Sequence, residues 1–350
     1  MNSHPSFPLR AGAALPALPF AAARPALRAM AQEHELPILH DADTSLTIEI
    51  PGFGHYCFTA EGEGSAILVS AALPDRLHML KEGFAEHLEH LQPGTAASLR
   101  WPDDGAAGTL PPDVQFTTVL SVAPLGRNFL RIRLQAQDLS GFGDDAIHFR
   151  LLLPPAGCTD PEYPKIDTSG RTLWPKGAKA LHRPVYTARR VCAHSGLLEF
   201  DLFLHAGGRA SAWAQNAAAG HQLAIAGPGG GGIPDAEEIL LYADETAIPA
   251  AARILESLQP GTRGRATLLT DGAAACGYPL TAPPGISLRW LDRQAGDSLG
   301  GCARAEFPEH PGAFLWFAGE KSEVQPLRDA ARAAGVASGQ RYIAAYWSLP

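Results

Sequence analysis

Five short stretches of this chain carry residue types that suit a bound nucleotide. Arg183-Pro184-Val185-Tyr186-Thr187-Ala188-Arg189 offers guanidinium groups for phosphate, an aromatic ring to lie on a flat heterocycle, and a hydroxyl for a ring carbonyl or nitrogen. The same residues also suit a plain strand with a basic flank. His205-Ala206-Gly207-Gly208-Arg209-Ala210-Ser211-Ala212-Trp213 is a glycine-rich turn leading from a strand into a short helix. Backbone N–H groups and the positive end of a helix dipole meet there, which favours a pyrophosphate. The alternative is a simple connection with a core Trp213. Gly227 to Gly232 formally matches G-x-G-x-x-G, but Pro234 and another strand follow where that fingerprint requires a helix. It reads as a flexible interdomain junction that also touches a cofactor through Gly227. Asp244-Glu245-Thr246 stands where a strand gives way to a helix, with Thr246 as N-cap and Pro249 in the first turn. Such corners approach nucleotides in doubly wound folds, although capping alone also accounts for these residues. Gly319-Glu320 is a second strand exit at the same edge.

The elements that must position these stretches follow from periodicity. Residues 1–32 are rich in Ala and Pro and are expected to be poorly ordered. Residues 33–102 read as a small α+β domain, with strands at Ser45–Ile50 and Ala66–Ala71. Leu77, Leu80, Phe84, Leu88 and Leu91 give Asp75–Leu91 an amphipathic helical spacing, stopped by Pro93-Gly94. Leu99–Trp101 reads as a last short strand and Pro102–Pro112 as a linker. Residues 113–232 read as short antiparallel strands at 119–122, 129–134, 148–153, 197–205 and 221–226, hence a barrel or sandwich. In Leu197–His205 apolar residues alternate with Glu199 and Asp201, the mark of a half-buried strand. Residues 233–350 alternate buried apolar strands with helices, which indicates a mostly parallel α/β sheet.

Composition bounds the function classes. The chain has 350 residues, 46% of them hydrophobic, with a net charge of −8. It is long enough for two or three domains and lacks the basic surplus of a generic nucleic-acid binder. No run approaches the length of a membrane helix. The five cysteines are scattered, with no Cys-x-x-Cys, so a cysteine metal cluster is not expected and a reducing cytoplasm suits them. His87 and His90 share a helix face but read as part of a solvated polar surface rather than a metal site.

The five stretches together, with the ending Ala344-Ala345-Tyr346-Trp347, resemble the siderophore-interacting protein family of flavin-dependent ferric-siderophore reductases, in its NAD(P)H-using branch. The resemblance runs from about Asp113 to Pro350; residues 33–102 resemble, more weakly, a small bacterial domain of unknown function. It implies a ferredoxin-reductase-like pair, an antiparallel FAD-binding β-barrel and a doubly wound NAD(P)-binding domain. By the same resemblance Tyr186 and Thr187 contact the isoalloxazine and ribityl region, and the Gly208–Trp213 turn takes the pyrophosphate. Asp244, Glu245, Thr246, Gly319 and Glu320 line the nicotinamide path, and Trp347 lies near the flavin. Arg150, in a His148-Phe149-Arg150-Leu151 that is similar to the family's His-x-Lys-Leu, together with Arg209 and Arg341, would receive an anionic ferric chelate. Two departures stand out. The family's Arg two residues before the Tyr is Pro184 here, with Arg183 one position further back. The usual Gly-Pro-Arg-Gly is Gly227-Pro228-Gly229-Gly230, a loss of charge that Arg209, in place of a Pro or Val, offsets. The implied cofactors are FAD and NADPH or NADH, and the implied partner is a ferric siderophore. Two other functions remain open at this point: a flavin or ferredoxin-type reductase with a protein partner such as ferredoxin, and a non-catalytic siderophore-binding regulator.

Overall fold

The computed structural model describes residues 7–34, 36–102 and 106–349, and the chain divides into two compact units. The first combines residues up to Gln115 with Pro154–Leu181. Its sheet has five antiparallel strands, β1 (Leu9–Leu15), β2 (Ile38–Ala42), β3 (Ser45–Ile50), β4 (Gly54–Glu61) and β5 (Gly64–Ala71), in the order β1-β5-β4-β3-β2. Two helices, α1 (Phe20–Glu33) and α2 (Pro74–Leu91), bury Phe20, Leu27, Leu80, Phe84 and Leu88 against it. The segment expected to be poorly ordered therefore supplies a strand and a helix. Its signal was a spacing, Phe20-Ala23-Leu27-Ala31, that puts four side chains on one buried helix face. Leu99–Trp101 forms no strand; Leu99 and Trp101 are buried in this core, and the Trp101 N–H donates to the Ser169 carbonyl. Residues 103–105 of the expected linker, and residues 1–6, lie outside the described residues.

The second unit opens with an antiparallel sheet built from β6 (Val114–Leu125), β7 (Phe129–Gln135) and β8 (His148–Leu152). The excursion through 154–181, which carries the short pair β9 (Lys165–Ile166) and β10 (Thr172–Leu173), belongs to the first unit. β11 (Val185–Thr187), β12 (Arg190–Cys192), β13 (Leu197–Phe203) and β14 (Gln222–Gly229) complete seven strands in the order β11-β8-β14-β6-β7-β13-β12. The two edge strands, β11 and β12, are separated in sequence by Ala188 and Arg189 alone, so the sheet curls round on itself. Its interior is filled by side chains such as Val119, Ile132, Phe149, Leu151, Phe200 and Ile225. Any cofactor must therefore sit on the rim or outer surface. A short helix, α3 (Arg209–Asn216), follows β13.

The remaining strands, β15 (Glu238–Asp244), β16 (Arg263–Thr270), β17 (Gly285–Asp292), β18 (Phe314–Glu320) and β19 (Arg341–Trp347), are parallel in the order β17-β16-β15-β18-β19. Helices α4 (Ile248–Ser257), α5 (Leu299–Glu306) and α6 (Lys321–Ala333) cover it; α5 has only a weak apolar pattern in the sequence. The strand order reverses between β15 and β18, so the crevice outside their carboxyl ends is the natural ligand position. Barrel and sheet share a core, in which Phe129 and Ile147 pack with Ile239, Ile254 and Tyr278. No helix among the described residues is long and apolar enough to cross a membrane.

Candidate functional site

The turn after β13 forms a cradle. Gly207 has a φ of +76° and open space where a Cβ would stand, a conformation that favours glycine. Gly208 precedes α3 without a side-chain cap, and a Cβ there would meet the His205 ring at 2.5 Å. Ser211 is buried and its hydroxyl accepts from the His205 backbone N–H at 3.1 Å, which pins the turn. The first-turn N–H groups of α3 thus face a cavity of about 410 Å³ lined by His205, Gly207, Gly208, Arg209 and Ser211. Ala210 and Ala214 are buried and Trp213 packs beside them, so these three point into the barrel core and contribute only backbone to the turn.

The Tyr186 corner is set by β11 lying antiparallel to β8. Val185 faces Arg150, Tyr186 faces Phe149 and Thr187 faces His148. The Tyr186 ring, half-buried, lies 5.4 Å from Phe200, whose ring is also 5.4 Å from Phe149. Burial pushes the Tyr186 hydroxyl well above its ordinary range. On the other face the Thr187 hydroxyl is 3.3 Å from His148 Nδ1, and His148 Nε2 is 2.9 Å from the Tyr346 hydroxyl near the end of β19. His148 is buried beside the positive Arg253, and its pKa is pushed down to about 4. It stays neutral at physiological pH.

The Asp244 corner is equally well bound. Asp244, 1% exposed, accepts from the Thr246 N–H (3.0 Å), the Thr246 hydroxyl (2.7 Å) and Trp347 Nε1 (2.6 Å). Burial raises its pKa, against the three donors that favour the carboxylate. The helix N-cap is Ala247 rather than Thr246; Thr246 closes a turn on Asp244 instead, one residue earlier than the capping pattern predicts. Gly319 lies against this corner, where a Cβ would come within 3.2 Å of Asp244 Oδ2. Glu245 is engaged by Arg293 (2.5 Å), whose guanidinium lies over the Trp347 ring at 5.9 Å. Because Tyr346 and Trp347 are consecutive, the Thr187 corner of the barrel and the Asp244 corner of the sheet are joined through His148, Tyr346 and Trp347.

Several expected ligand contacts are instead taken up within the protein. Arg189 is buried in an ion pair with Glu256 of α4, its Nη1 at 2.8 Å, so it fastens barrel to sheet rather than facing the crevice. Glu320 caps α6 by accepting from the Ser322 N–H at 2.8 Å. Arg341 opens β19 at the amino edge of the sheet. The seven-residue strand sets it roughly 20 Å from Trp347 and the carboxyl edge. Exposed Arg183 presents its carbonyl to Arg150 Nη1 at 3.2 Å, which places both residues at the Tyr186 corner.

The Gly227–Gly232 run is not a flexible junction. A Cβ on Gly227 would lie 2.9 Å from Phe149 Cβ, on Gly230 2.6 Å from the His148 ring, and on Gly231 2.4 Å from the Tyr342 ring. Glycine is present here because protein atoms fill the space. His148 entered the sequence reading only as the flank of Arg150, and Arg293 and Arg253 carried no local signal, since their partners are 48 and 109 residues distant.

Comparison with known proteins agrees with this architecture. Residues 118–232 match the siderophore-interacting FAD-binding domain and residues 236–349 match the siderophore-interacting protein family. The NADPH-dependent ferric-chelate reductase of Escherichia coli K12 is 32% identical over 242 residues, covering 66% of this chain and 91% of that protein. A ferric vibriobactin reductase of Vibrio cholerae is 29% identical over 237 residues, covering 64% and 85%. The crystal structure of a siderophore utilization protein from T. fusca superposes with a TM-score of 0.58 at 29% identity, covering 67% of this chain and 92% of that one. The siderophore-interacting protein SipS from Aeromonas hydrophila superposes at 0.56 with 25% identity, covering 70% and 100%. With its barrel, its parallel sheet and both matched segments in this order, the chain belongs to the siderophore-interacting protein family.

Proposed function

We propose that this protein is an FAD-dependent NAD(P)H:ferric-siderophore oxidoreductase. The observation that carries the reading is the join between the two corners: Thr187 to His148 to Tyr346, and Trp347 to Asp244. A flavin seated at the first corner would lie beside a nicotinamide delivered to the second.

The residues fit both groups. The cavity at the start of α3 offers the first-turn backbone of that helix, Arg209 and the room that Gly207 leaves, all suited to a pyrophosphate. Tyr186 offers a supported aromatic face, and Thr187, next in the strand, a buried hydroxyl 3.3 Å from His148. The Asp244 turn and Gly319 shape the strand-exit crevice at the point where sheet order reverses. FAD, when bound, accepts two electrons as a hydride and releases them singly, which matches a two-electron donor to one-electron Fe(III). The protein's own part is to hold donor, flavin and chelate within electron-transfer reach and to keep buried groups such as His148 and Asp244 fixed. No acid–base residue is demanded by the chemistry. Hard anionic oxygen ligands hold Fe(III) better than Fe(II), so reduction loosens the chelate.

Arg150, exposed on β8 beside Arg183, is placed to attract an anionic chelate. Arg209 lies in the phosphate cradle and serves the cofactor instead. Arg341, at the opposite end of β19 from Trp347, is the less favoured of the candidates. Five free cysteines are consistent with work in the cytoplasm.

Purified protein supplied with FAD is expected to turn yellow, to bleach when NADPH or NADH is added under nitrogen, and to recover colour with a ferric siderophore. Failure to take up FAD sinks the reading. Recovery with ferredoxin and not with the ferric chelate would move it to the protein-partner reductases. Siderophore binding without bleaching would make it a binding protein.

A further inference from the structure

We infer that this protein takes its electrons from NADH in preference to NADPH, and that Asp271 is the residue that makes the choice. The inference rests on the reductase reading above and names the donor within it.

The nicotinamide end of a donor belongs in the crevice at Asp244 and Gly319, outside the ends of β15 and β18. The adenosine end must then run along the carboxyl edge to one side. Towards β19 that edge is taken: Tyr346 is bonded to His148, and Glu320 to the Ser322 N–H. Towards β16 and β17 it reaches Asp271, whose side chain is 57% exposed. Two strand spacings, about 10 Å, cover the distance from β15 to β17.

Asp271 stands directly after β16, the second strand of the sheet in chain order, which lies next to the first. In doubly wound folds an acidic side chain at that point accepts from the ribose 2′-hydroxyl of the adenosine half, whereas a nearby arginine takes the 2′-phosphate that NADPH carries there. Asp271 is set for the first task. Its backbone N–H donates to Glu245 Oε1 at 3.1 Å, and the next N–H, of Gly272, donates to Asp292 Oδ1 at 3.0 Å, so the turn is fixed on both sides. Among the described residues its own carboxylate accepts no hydrogen bond, and its ion-pair contact is Arg293 Nε at 3.8 Å.

Arg293, just past the end of β17, is the arginine that could take a phosphate, and it is already engaged. Its Nε lies 3.4 Å from Glu245 Oε1 and its Nη2 2.5 Å from Oε2, while its guanidinium lies over the Trp347 ring at 5.9 Å. Glu245 is 7% exposed. Turning Arg293 towards a phosphate would leave that carboxylate buried without its charge partner, which is strongly unfavourable. The carboxylates of Glu245, Asp271, Asp292 and Asp297 also outnumber this guanidinium at the exits of β15, β16 and β17; Asp297 accepts from the Asp292 N–H at 2.9 Å. Such an edge repels a phosphate monoester, whereas a hydroxyl has a hydrogen to donate to it.

The test uses the FAD-loaded protein and two readouts. One is the affinity for NAD+ and for NADP+, by calorimetry. The other is kcat/KM for anaerobic flavin bleaching by NADH and by NADPH. Both should favour the form without the phosphate by roughly tenfold or more. Asp271→Ala should lower the NADH value roughly fivefold and raise the NADPH value roughly threefold, with both changes carried in KM. Asp271→Asn removes the charge and keeps an acceptor oxygen, so NADPH should gain as much while NADH loses less than in Asp271→Ala. Wild-type protein that favours NADPH, the donor in the name of the Escherichia coli relative, or that treats the two alike, would overturn the inference. So would an Asp271→Ala variant in which both donors fall by the same factor, the mark of a merely structural role. Each of those results comes with a flavin that bleaches. Protein that takes up no FAD, or whose flavin neither nucleotide bleaches, overturns the reductase reading and the choice of donor with it.

Discussion

The chain has two glycine-rich stretches twenty residues apart, and they use glycine for opposite reasons. At Gly207 nothing approaches within 4 Å of the missing Cβ, and the space belongs to a cavity. At Gly227, Gly230 and Gly231 the missing Cβ atoms would strike Phe149, His148 and Tyr342, all within 3 Å. Gly207 leaves room for a ligand, while a Cβ on its neighbour Gly208 would meet the exposed His205 ring; the other stretch lets barrel and sheet close on each other. Glycine content therefore says that something comes near the backbone, and not whether it is a cofactor or another side chain.

This contrast can be broken by substitution, and the largest effect is expected on the closed side. Gly230→Ala, with φ at +77° and the His148 ring in the way, should cost about 3 kcal/mol or more through combined strain and overpacking. Urea unfolding of the intact chain measures it; a loss below about 1 kcal/mol would show that the closed run has slack.

The next effect is one of pH. Unfolded histidine titrates near 6.5, whereas folded His148 does so at about 4. Between those values the unfolded chain binds a proton that the folded chain refuses. Stability from this group is therefore full above pH 6.5 and falls as pH drops towards 4, by on the order of 3 kcal/mol. His148→Asn should flatten that slope in unfolding midpoints measured from pH 7 to 4. An unchanged slope would place the titrating group elsewhere.

On the open side a smaller and different response is expected. Gly208→Ala crowds the cradle against the His205 ring, which is exposed and can turn aside. FAD affinity should fall roughly tenfold, about 1.4 kcal/mol, with little change in the unfolding midpoint. Equal losses in stability and affinity would mean the cradle is as tightly packed as the Gly230 run.

The smallest effect sharpens the same contrast at the sheet edge. Glu320 caps α6 through Ser322, so Glu320→Ala should cost about 1 kcal/mol of stability and leave the KM for NADPH unchanged. A KM raised severalfold would return Glu320 to the nucleotide path.

Local pattern carried much of the fold. The period-two strands and the apolar runs alternating with helices led to an antiparallel barrel followed by a parallel sheet, because both patterns are imposed by side-chain direction within one element. α1 was obscured because two of its four buried residues, Ala23 and Ala31, are alanines in an Ala-rich stretch, which reads as composition rather than periodicity. Glu199 and Asp201 show the opposite limit. Their alternation suggested a polar outer face, yet they are 2% and 1% exposed, since Arg131 and Arg133 on the neighbouring strand pair with Glu199 and Tyr278 donates to Asp201 at 2.5 Å.

The sequence by itself determined that antiparallel strands precede a parallel α/β region, and which corners hold ring, hydroxyl and carboxylate groups, since these depend on neighbours a few residues apart. Only the tertiary structure decided which of those groups remain free. Arg189 and Glu245 found opposite charges 67 and 48 residues away, and His148 found Tyr346 across 198 residues. A charge or hydroxyl engages whatever partner folding brings within about 3 Å, and that distance is not written in the spacing of residues along the chain.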